Sequence, residues 1–379
     1  MNTGFSLALT LGAILTLAAS LAPARAEVFT YAAPSGSAEN PLHIYSSLDV
    51  HIAAPLILGF QQENPDVTVY YGEMLTGEIN DRIVTETDAG GTTADFAFSS
   101  AMDLQVKLAN DGYAQEAIAP DSAHWPRWAN WRNTAYALTF EPAVLVYNRA
   151  AFADRPPPAT RAELEDWLVK GGAGLYGRIG TYDIEKSAVG FLFLARDQDQ
   201  FPDIWSFVRA MGQAGVQQFA TSKDILQRLS DGRLQVGYNL MGSYAADWAR
   251  SHPEVGLILP RDFTVVVSRI GLVPRAAARP DLGTRFLAFF MSRAGQTIVA
   301  EKLRLPAVSL TVSDSNTARA MQDALSAELR PVTVSPGLLV YLDQAKRRRL
   351  IDRWRAETHA PISPPHGAEA LPPLPPEND

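Results

Sequence analysis

Apolar and polar positions along this chain switch between two periods in a fixed order. "LHIYSSLD" at 42–49 alternates and reads as a strand ending in Ser46 and Ser47. "VHIAAPLILGFQQENP" then places apolar residues at helical spacing and stops at Asn64-Pro65. "DVTVYYGEM" alternates again, and "LTGEINDRIVTETDAGG" reads as a loop and a helix with Thr76 and Gly77 at its start. "ADFAFSS" is a short buried strand ending in Ser99 and Ser100, and "MDLQVKLANDG" is helical. This β-α-β-α-β-α order predicts a parallel sheet covered by helices.

The texture changes at "NTAYALTFEPAVLVYNRAAF", where two extended runs, 134–140 and 143–148, follow each other with no helix between them. Strand–loop–helix order returns in "LYGRIGTYDIEKSAVGFLFLARD", with a helix start near Ser187. It recurs in "LQVGYNLMGSYAADWARSH", with Gly242, Ser243 and Tyr244 in the loop. "GLILPRDFTVVVSRIGLVP" is again two extended runs without a helix. Two α/β blocks joined by extended crossings, near 137–146 and 257–267, predict two lobes, a hinge and a ligand cleft between them. "AEVFTYAAPSGSAENP" reads as a polar lead-in to the first lobe.

The two ends have their own composition. "FSLALTLGAILTLAASLA" is apolar, and Ala24-Arg25-Ala26 fits signal-peptidase cleavage after Ala26. The leading "MNTG" lacks the usual lysine or arginine, and an uncleaved anchor is the alternative. Export to the periplasm follows from cleavage. "PISPPHG" and "LPPLPPEND" make the last stretch proline-rich and read as a disordered tail.

The whole chain has 379 residues, 47 % hydrophobic and 20 % charged, an ordinary globular mixture long enough for two or three cores. Its net charge of −8 excludes general nucleic-acid binding, which wants a basic face. Cysteine is absent. An exported chain without it has no disulfide framework, no cysteine nucleophile and no thiolate metal site. The six histidines, 43, 51, 124, 252, 359 and 366, form no metal-binding spacing, and no compact catalytic motif such as G-x-S-x-G appears.

Four segments carry a family likeness in order and spacing: "LHIYSSLD", "ADFAFSSAMDLQVKLANDGYA", "YALTFEPAVLVYNRAAF" and "RPDLGTRFLAFFMSRAGQTIVAE". Together they span most of 40–305. The chain resembles the type II periplasmic substrate-binding proteins of ABC transporters, in the branch of ferric-iron, phosphonate and sugar-phosphate binders. The resemblance implies a two-lobe α/β fold with two extended hinge crossings. Lobe 1 is then 27–138 with 262–312, lobe 2 is 139–261, a helical extension covers 313–358 and the tail 359–379. "SPGLLVYLDQAKRRRLIDRWRAE" resembles the C-terminal region of the phosphoglycerate transport regulatory protein, which is associated with a two-component sensor. The partners implied are a small anionic ligand, an ABC permease and/or a sensor histidine kinase, with the membrane reached only through partner proteins. "KRRR" at 346–349 is either a solvated helix face or a docking surface for such a partner or for anionic lipid.

Iron binders of the resembled family use a histidine, an acid and a tyrosine pair. The positions matching the first two are Asp49 and Ser100, and Tyr244 stands alone beside Ser243, with Tyr238 read as strand core. Too few anionic ligands remain for Fe³⁺, which favours hard oxygen and imidazole donors. The expected ligand set is Ser46, Ser47, Thr76, Gly77, Ser99, Ser100, Tyr182, Lys186, Ser187, Ser243 and Tyr244. Hydroxyls and free N–H groups at several helix starts suit an oxyanion, carboxylate or phosphate. Each serine serves equally as a helix cap. Lys186 is either an anion partner or a solvated loop lysine, and the two tyrosines either touch ligand or pack at the hinge. Asp49 is expected to cap the following helix. No metal and no cofactor is expected. Three other functions compete with anion binding: ferric-iron delivery, an enzyme on the same scaffold, and an adaptor with a degenerate cleft. Transferases of this architecture that could serve as the enzyme use a cysteine, which this chain lacks.

Overall fold

A computed structural model describes residues 27–36, 40–309, 311–312, 317–325 and 329–359. The expected signal peptide and residues 360–379 of the tail lie outside the described residues. The described residues begin with β1 (Glu27–Tyr31), β2 (Asn40–Ser46), α1 (Val50–Glu63), β3 (Val67–Glu73), α2 (Thr76–Asp88), β4 (Phe96–Ser99) and α3 (Met102–Asn110). β2 pairs in parallel with β3 on one side and β4 on the other, as the alternating periods predict. The expected polar lead-in is instead strand β1, antiparallel to β3 with Tyr31 opposite Val69. Its residues are half-buried or exposed, so an edge strand with no dry face left no hydrophobic alternation to read.

Two short strands, β5 (Asn130–Trp131) and β6 (Ala135–Ala137), complete the outgoing path, and residues 138–140 lead into a second sheet. That sheet is built by β7 (Glu141–Asn148), α4 (Arg161–Gly171), β8 (Ile179–Tyr182), α5 (Ala188–Gln200), α6 (Ile204–Gln213), β9 (Gln217–Phe219), α7 (Ser222–Ser230), β10 (Val236–Met241), α8 (Gly242–Ser251), β11 (Val255–Ile258) and β12 (Thr264–Val267). β11 and β12 both pair antiparallel with β7. β13 (Ile270–Leu272) then lies between β4 and β6 in the first sheet. The return is therefore the pair Ser268–Arg269, later than the crossing near 257–267 and the boundary at 262 expected from sequence. Pairing register, which periodicity does not contain, decides this.

α9 (Pro280–Met291) and α10 (Arg293–Ile298) cover the first sheet. Phe286 of α9 lies 5.1 Å, centroid to centroid, from both Phe60 and Phe96, and Phe290 lies 4.9 Å from Phe98. Edge-to-face geometry adds to the area that these rings bury. Gly283 permits the approach, since a Cβ there would stand 2.0 Å from the Asp95 carbonyl oxygen. The second lobe holds a buried charge network. Arg161 Nη2 lies 2.9 Å from Asp197 Oδ1, Nη1 3.1 Å from Asp262 Oδ1, and Nε donates to Tyr238 Oη at 2.9 Å. Burial pushes the Asp197 carboxyl up, against the lowering by Arg161. Tyr238 is strand core, as expected.

The stretch expected to be a helical extension contains α11 (Ala318–Leu325), β14 (Leu329–Pro331) and α12 (Gln344–Thr358). β14 joins the second sheet in parallel with β12, Leu329 opposite Thr264, so the extension is not purely helical. The 3₁₀ segment Pro336–Leu342 packs on α3 of the first lobe, whereas α12 packs on α6 of the second. Gly212 of α6 makes the second contact possible, because a Cβ there would meet the Glu357 carbonyl oxygen at 2.5 Å. Arg209 clamps the Glu357 carboxylate at 2.8 and 3.0 Å. Among the described residues no helix is long and apolar enough to cross a membrane.

Candidate functional site

The serines at the two strand ends are equivalent. Ser46 Oγ accepts from Leu48 N and Ser99 Oγ from Ala101 N, each two residues on. These side chains make local turns that end β2 and β4 and aim the chain into α1 and α3. Neither caps a helix: Asp49 and Ala101 hold the N-cap positions, and neither side chain makes a capping hydrogen bond. The expected cap at Asp49 is corrected in the same way, since Glu73 Oε2 accepts from Val50 N at 2.8 Å instead. Ser47 Oγ accepts from Ser100 N at 3.2 Å, which links the two strand ends. The half-buried Ser100 hydroxyl has no hydrogen-bond partner among the described residues.

At the return crossing sits Arg269, 1 % exposed, with Nε 3.1 Å from Oε1 of Glu141, which is 0 % exposed. That Nε–H is not aligned on the carboxylate and has no hydrogen-bond partner among the described residues, so the pair is held by charge and the donor is unspent. Ser268 Oγ beside it is likewise buried and unpartnered. Glu141 accepts from the Thr139 hydroxyl at 2.8 Å and from Ser243 Oγ, so its charge is held from three sides. Arg269 Nη1 donates to the Ser47 carbonyl at 3.4 Å, and Nη2 reaches Tyr244 Oη at 3.5 Å. Tyr244 Oη also lies 3.5 Å from Asp49 Oδ1, across the lobe boundary. Burial acts most strongly, to lower the Arg269 pKa, but Glu141, Tyr244 and Tyr71 together raise it above its ordinary value, and the guanidinium stays charged. Burial raises the Tyr244 phenol, with Arg269 opposing.

Two cavities open between the lobes. One, of about 270 Å³, is lined by Ser243, Tyr244 and Arg269, with His51, Lys302 and the ion pair of Arg250 with Asp247 beside them. The other, of about 740 Å³, is lined by Thr76, Gly77, Arg82, Glu185 and Lys186. The expected set is thus divided: Ser243 and Tyr244 face the first, and Thr76, Gly77 and Lys186 the second. Lys186 is 71 % exposed and pairs with Asp183 at 2.9 Å. Tyr182 and Ser187 line neither. Tyr182 is buried, hydrogen-bonded to the Ser222 hydroxyl and accepting from Met241 N, and burial pushes its phenol up to about 12. Ser187 caps α5 by accepting from Gly190 N.

The profile of the family described as Bacterial extracellular solute-binding protein matches residues 56–325. The chain belongs to this family. A solute-binding protein of this kind takes a small ligand, works with an ABC transporter permease and is exported. The substrate binding protein of an ABC transporter from Agrobacterium tumefaciens is 62 % identical, with a TM-score of 0.84, and the match covers 89 % of this chain and 100 % of that one. Periplasmic binding protein AfuA from Actinobacillus pleuropneumoniae, with fructose-6-phosphate bound, is 16 % identical over 85 % of this chain and 100 % of its own, at a TM-score of 0.65. Iron-bound HitA from Pseudomonas aeruginosa is 15 % identical over 84 % of this chain and 99 % of its own, at 0.64. The last two share the two-lobe fold. No match was found among curated proteins.

For a solute-binding protein, the residues that sequence reasoning passed over are the most telling. Arg269 and Glu141 sit at the two crossings, and the smaller cavity adds Lys302 and the ion pair of Arg250 with Asp247. One signal was present in the sequence: an arginine inside the apolar run "TVVVSRIGLV" is a buried charge that needs a partner. Its partner, 128 positions upstream in Glu141, is invisible until the sheets are assembled.

Proposed function

We propose that this solute-binding protein captures a small organic anion, phosphorylated or carboxylated, at the hinge and presents it to its ABC permease, a two-component sensor kinase or both. The observation that carries the reading is Arg269: a buried guanidinium at the return crossing, lining an interlobe cavity, with its Nε–H unspent. A charge-assisted bond from such a donor is worth about 1.5–3 kcal/mol. Lys302 in the same lining favours the same ligand sign, while Arg250 there is paired with Asp247. An anion held between the lobes favours the closed form by its differential affinity for the two states. The relative with fructose-6-phosphate bound has this fold and an anionic ligand. The ferric-iron alternative has less support. Arg269 stands 3.5 Å from the lone tyrosine, and no group of three or more His, Asp or Glu able to hold a metal occurs among the described residues.

The test is a thermal-shift screen of the secreted protein against phosphorylated three-carbon acids, di- and tricarboxylates, hexose phosphates, phosphonates and Fe³⁺. A bound ligand raises the melting temperature by mass action. Stabilisation by one anion class is expected. Stabilisation by Fe³⁺ or by uncharged solutes alone overturns the anion reading.

A further inference from the structure

A groove of about 610 Å³ runs between α5 and α12, away from Arg269. Its floor is apolar: Phe191, Leu350 and Val340, the last 45 % exposed. Its rim is cationic: Lys346, Arg347, Arg349 and Arg353. None of the four makes an ion pair among the described residues, in a chain whose net charge is −8. Two of them are held by aromatic rings instead. Arg347 lies 4.2 Å from the Phe191 centroid and Arg353 4.2 Å from that of Trp205. Stacking fixes the planar guanidinium and leaves its N–H edge for a carboxylate. The one acid in the lining, Asp199, is engaged by Arg196 at 3.1 Å and by Tyr341 Oη at 2.9 Å. Arg347 also acts on the buried Asp103 carboxyl, but no direct ion pair among the described residues takes up any of the four.

We propose that this groove docks an acidic segment of a partner protein, which seats one apolar side chain on the floor and sets carboxylates against the rim. The concave floor distinguishes it from a flat lipid-binding face, since an apolar anchor in a pocket inside a polar rim is how protein segments are held. Its position adds to the case. Arg347 also lines the 740 Å³ cavity between the lobes, and the walls of the groove come from the second lobe and from the extension that packs on the first. A partner seated there touches the elements whose spacing changes when the lobes move.

The experiment is fluorescence anisotropy with the full mature chain and three labelled peptides: Glu-rich with a central leucine, Glu-rich with alanine in its place, and Lys-rich with the leucine. Only the first is expected to bind. Lys346→Glu and Arg349→Glu, both exposed side chains, should each weaken it by about tenfold. Arg348→Glu makes the same charge change on α12 outside the groove and should leave binding nearly unchanged. No binding, equal binding of the alanine peptide, or an equal loss in Arg348→Glu overturns the proposal. So does sedimentation with phosphatidylglycerol vesicles, or a dimer, that Arg349→Glu abolishes. A gain in peptide affinity on deleting residues 360–379 would make the chain's own end the occupant and would also overturn it.

Discussion

Replacing Arg269 by methionine separates the structural from the ligand-facing part of the hinge. Methionine keeps much of the volume but leaves Glu141 with no cation, at a position that is 0 % exposed. Two hydroxyls, from Thr139 and Ser243, still donate to it, yet neither carries charge. Removing one partner of a buried pair costs about 3–5 kcal/mol, because the other charge stays buried and uncompensated. Domains are stable by only about 5–15 kcal/mol, so the variant should fold with a much lower urea midpoint. Adding Glu141→Gln removes the orphaned charge: the amide oxygen accepts from one of the two hydroxyls, and the amide NH2 donates to the other, whose oxygen accepts instead. The double variant should therefore recover most of the loss, giving a coupling energy of several kcal/mol in the mutant cycle. Ligand affinity should not recover, since the unspent N–H donor is gone from both variants. The assays are urea unfolding by fluorescence and calorimetry with a ligand from the screen. A single variant less than about 1 kcal/mol destabilised, or a double variant no more stable than the single, refutes the argument that the pair matters to the hinge. Wild-type affinity in the double variant refutes the role of Arg269 in binding.

Ser46→Ala and Ser99→Ala should each cost about 1 kcal/mol in urea unfolding, the worth of a lost side-chain hydrogen bond. Their oxygens are engaged by Leu48 N and Ala101 N, so Ser100→Ala should be the serine variant that costs affinity instead; calorimetry on all three separates these outcomes. Gly212→Ala places a methyl 2.5 Å from the Glu357 carbonyl oxygen, so α12 should undock and become the first site cut in limited proteolysis. The Tyr182 phenol, raised by burial from 10.0 to about 12, stabilises the fold in its protonated form. That contribution is complete below pH 10 and is lost as pH rises toward 12, so Tyr182→Phe should flatten the alkaline fall in stability measured by urea unfolding across this window.

Much of this protein was legible in its residues. The switching periods of 42–112 gave the parallel core of the first sheet, because β2 alternates buried and open positions, β3 and β4 are largely buried, and the helices between them bury one face. Extended runs without a helix pointed to two crossings, since parallel strands cannot be joined without a crossover segment; the first falls inside the expected 137–146, and the second just after the expected 257–267. The serines at 46 and 99 marked the ends of β2 and β4, and of the stretch 242–244, which opens α8, Ser243 and Tyr244 line the smaller cavity. Three things came only with the tertiary structure. β1 is an edge strand without a dry face, so its hydrophobic pattern is silent. The return crossing falls at Ser268–Arg269 because β12 pairs with β7, and register between distant strands has no local signature. The hinge charge pair joins Glu141 to Arg269 across two lobes, and a buried charge finds its partner only once burial has been decided. Period follows from which face of a segment is dry and so is written locally. Which charge meets which depends on how the dry faces are brought together, and that belongs to the assembled fold.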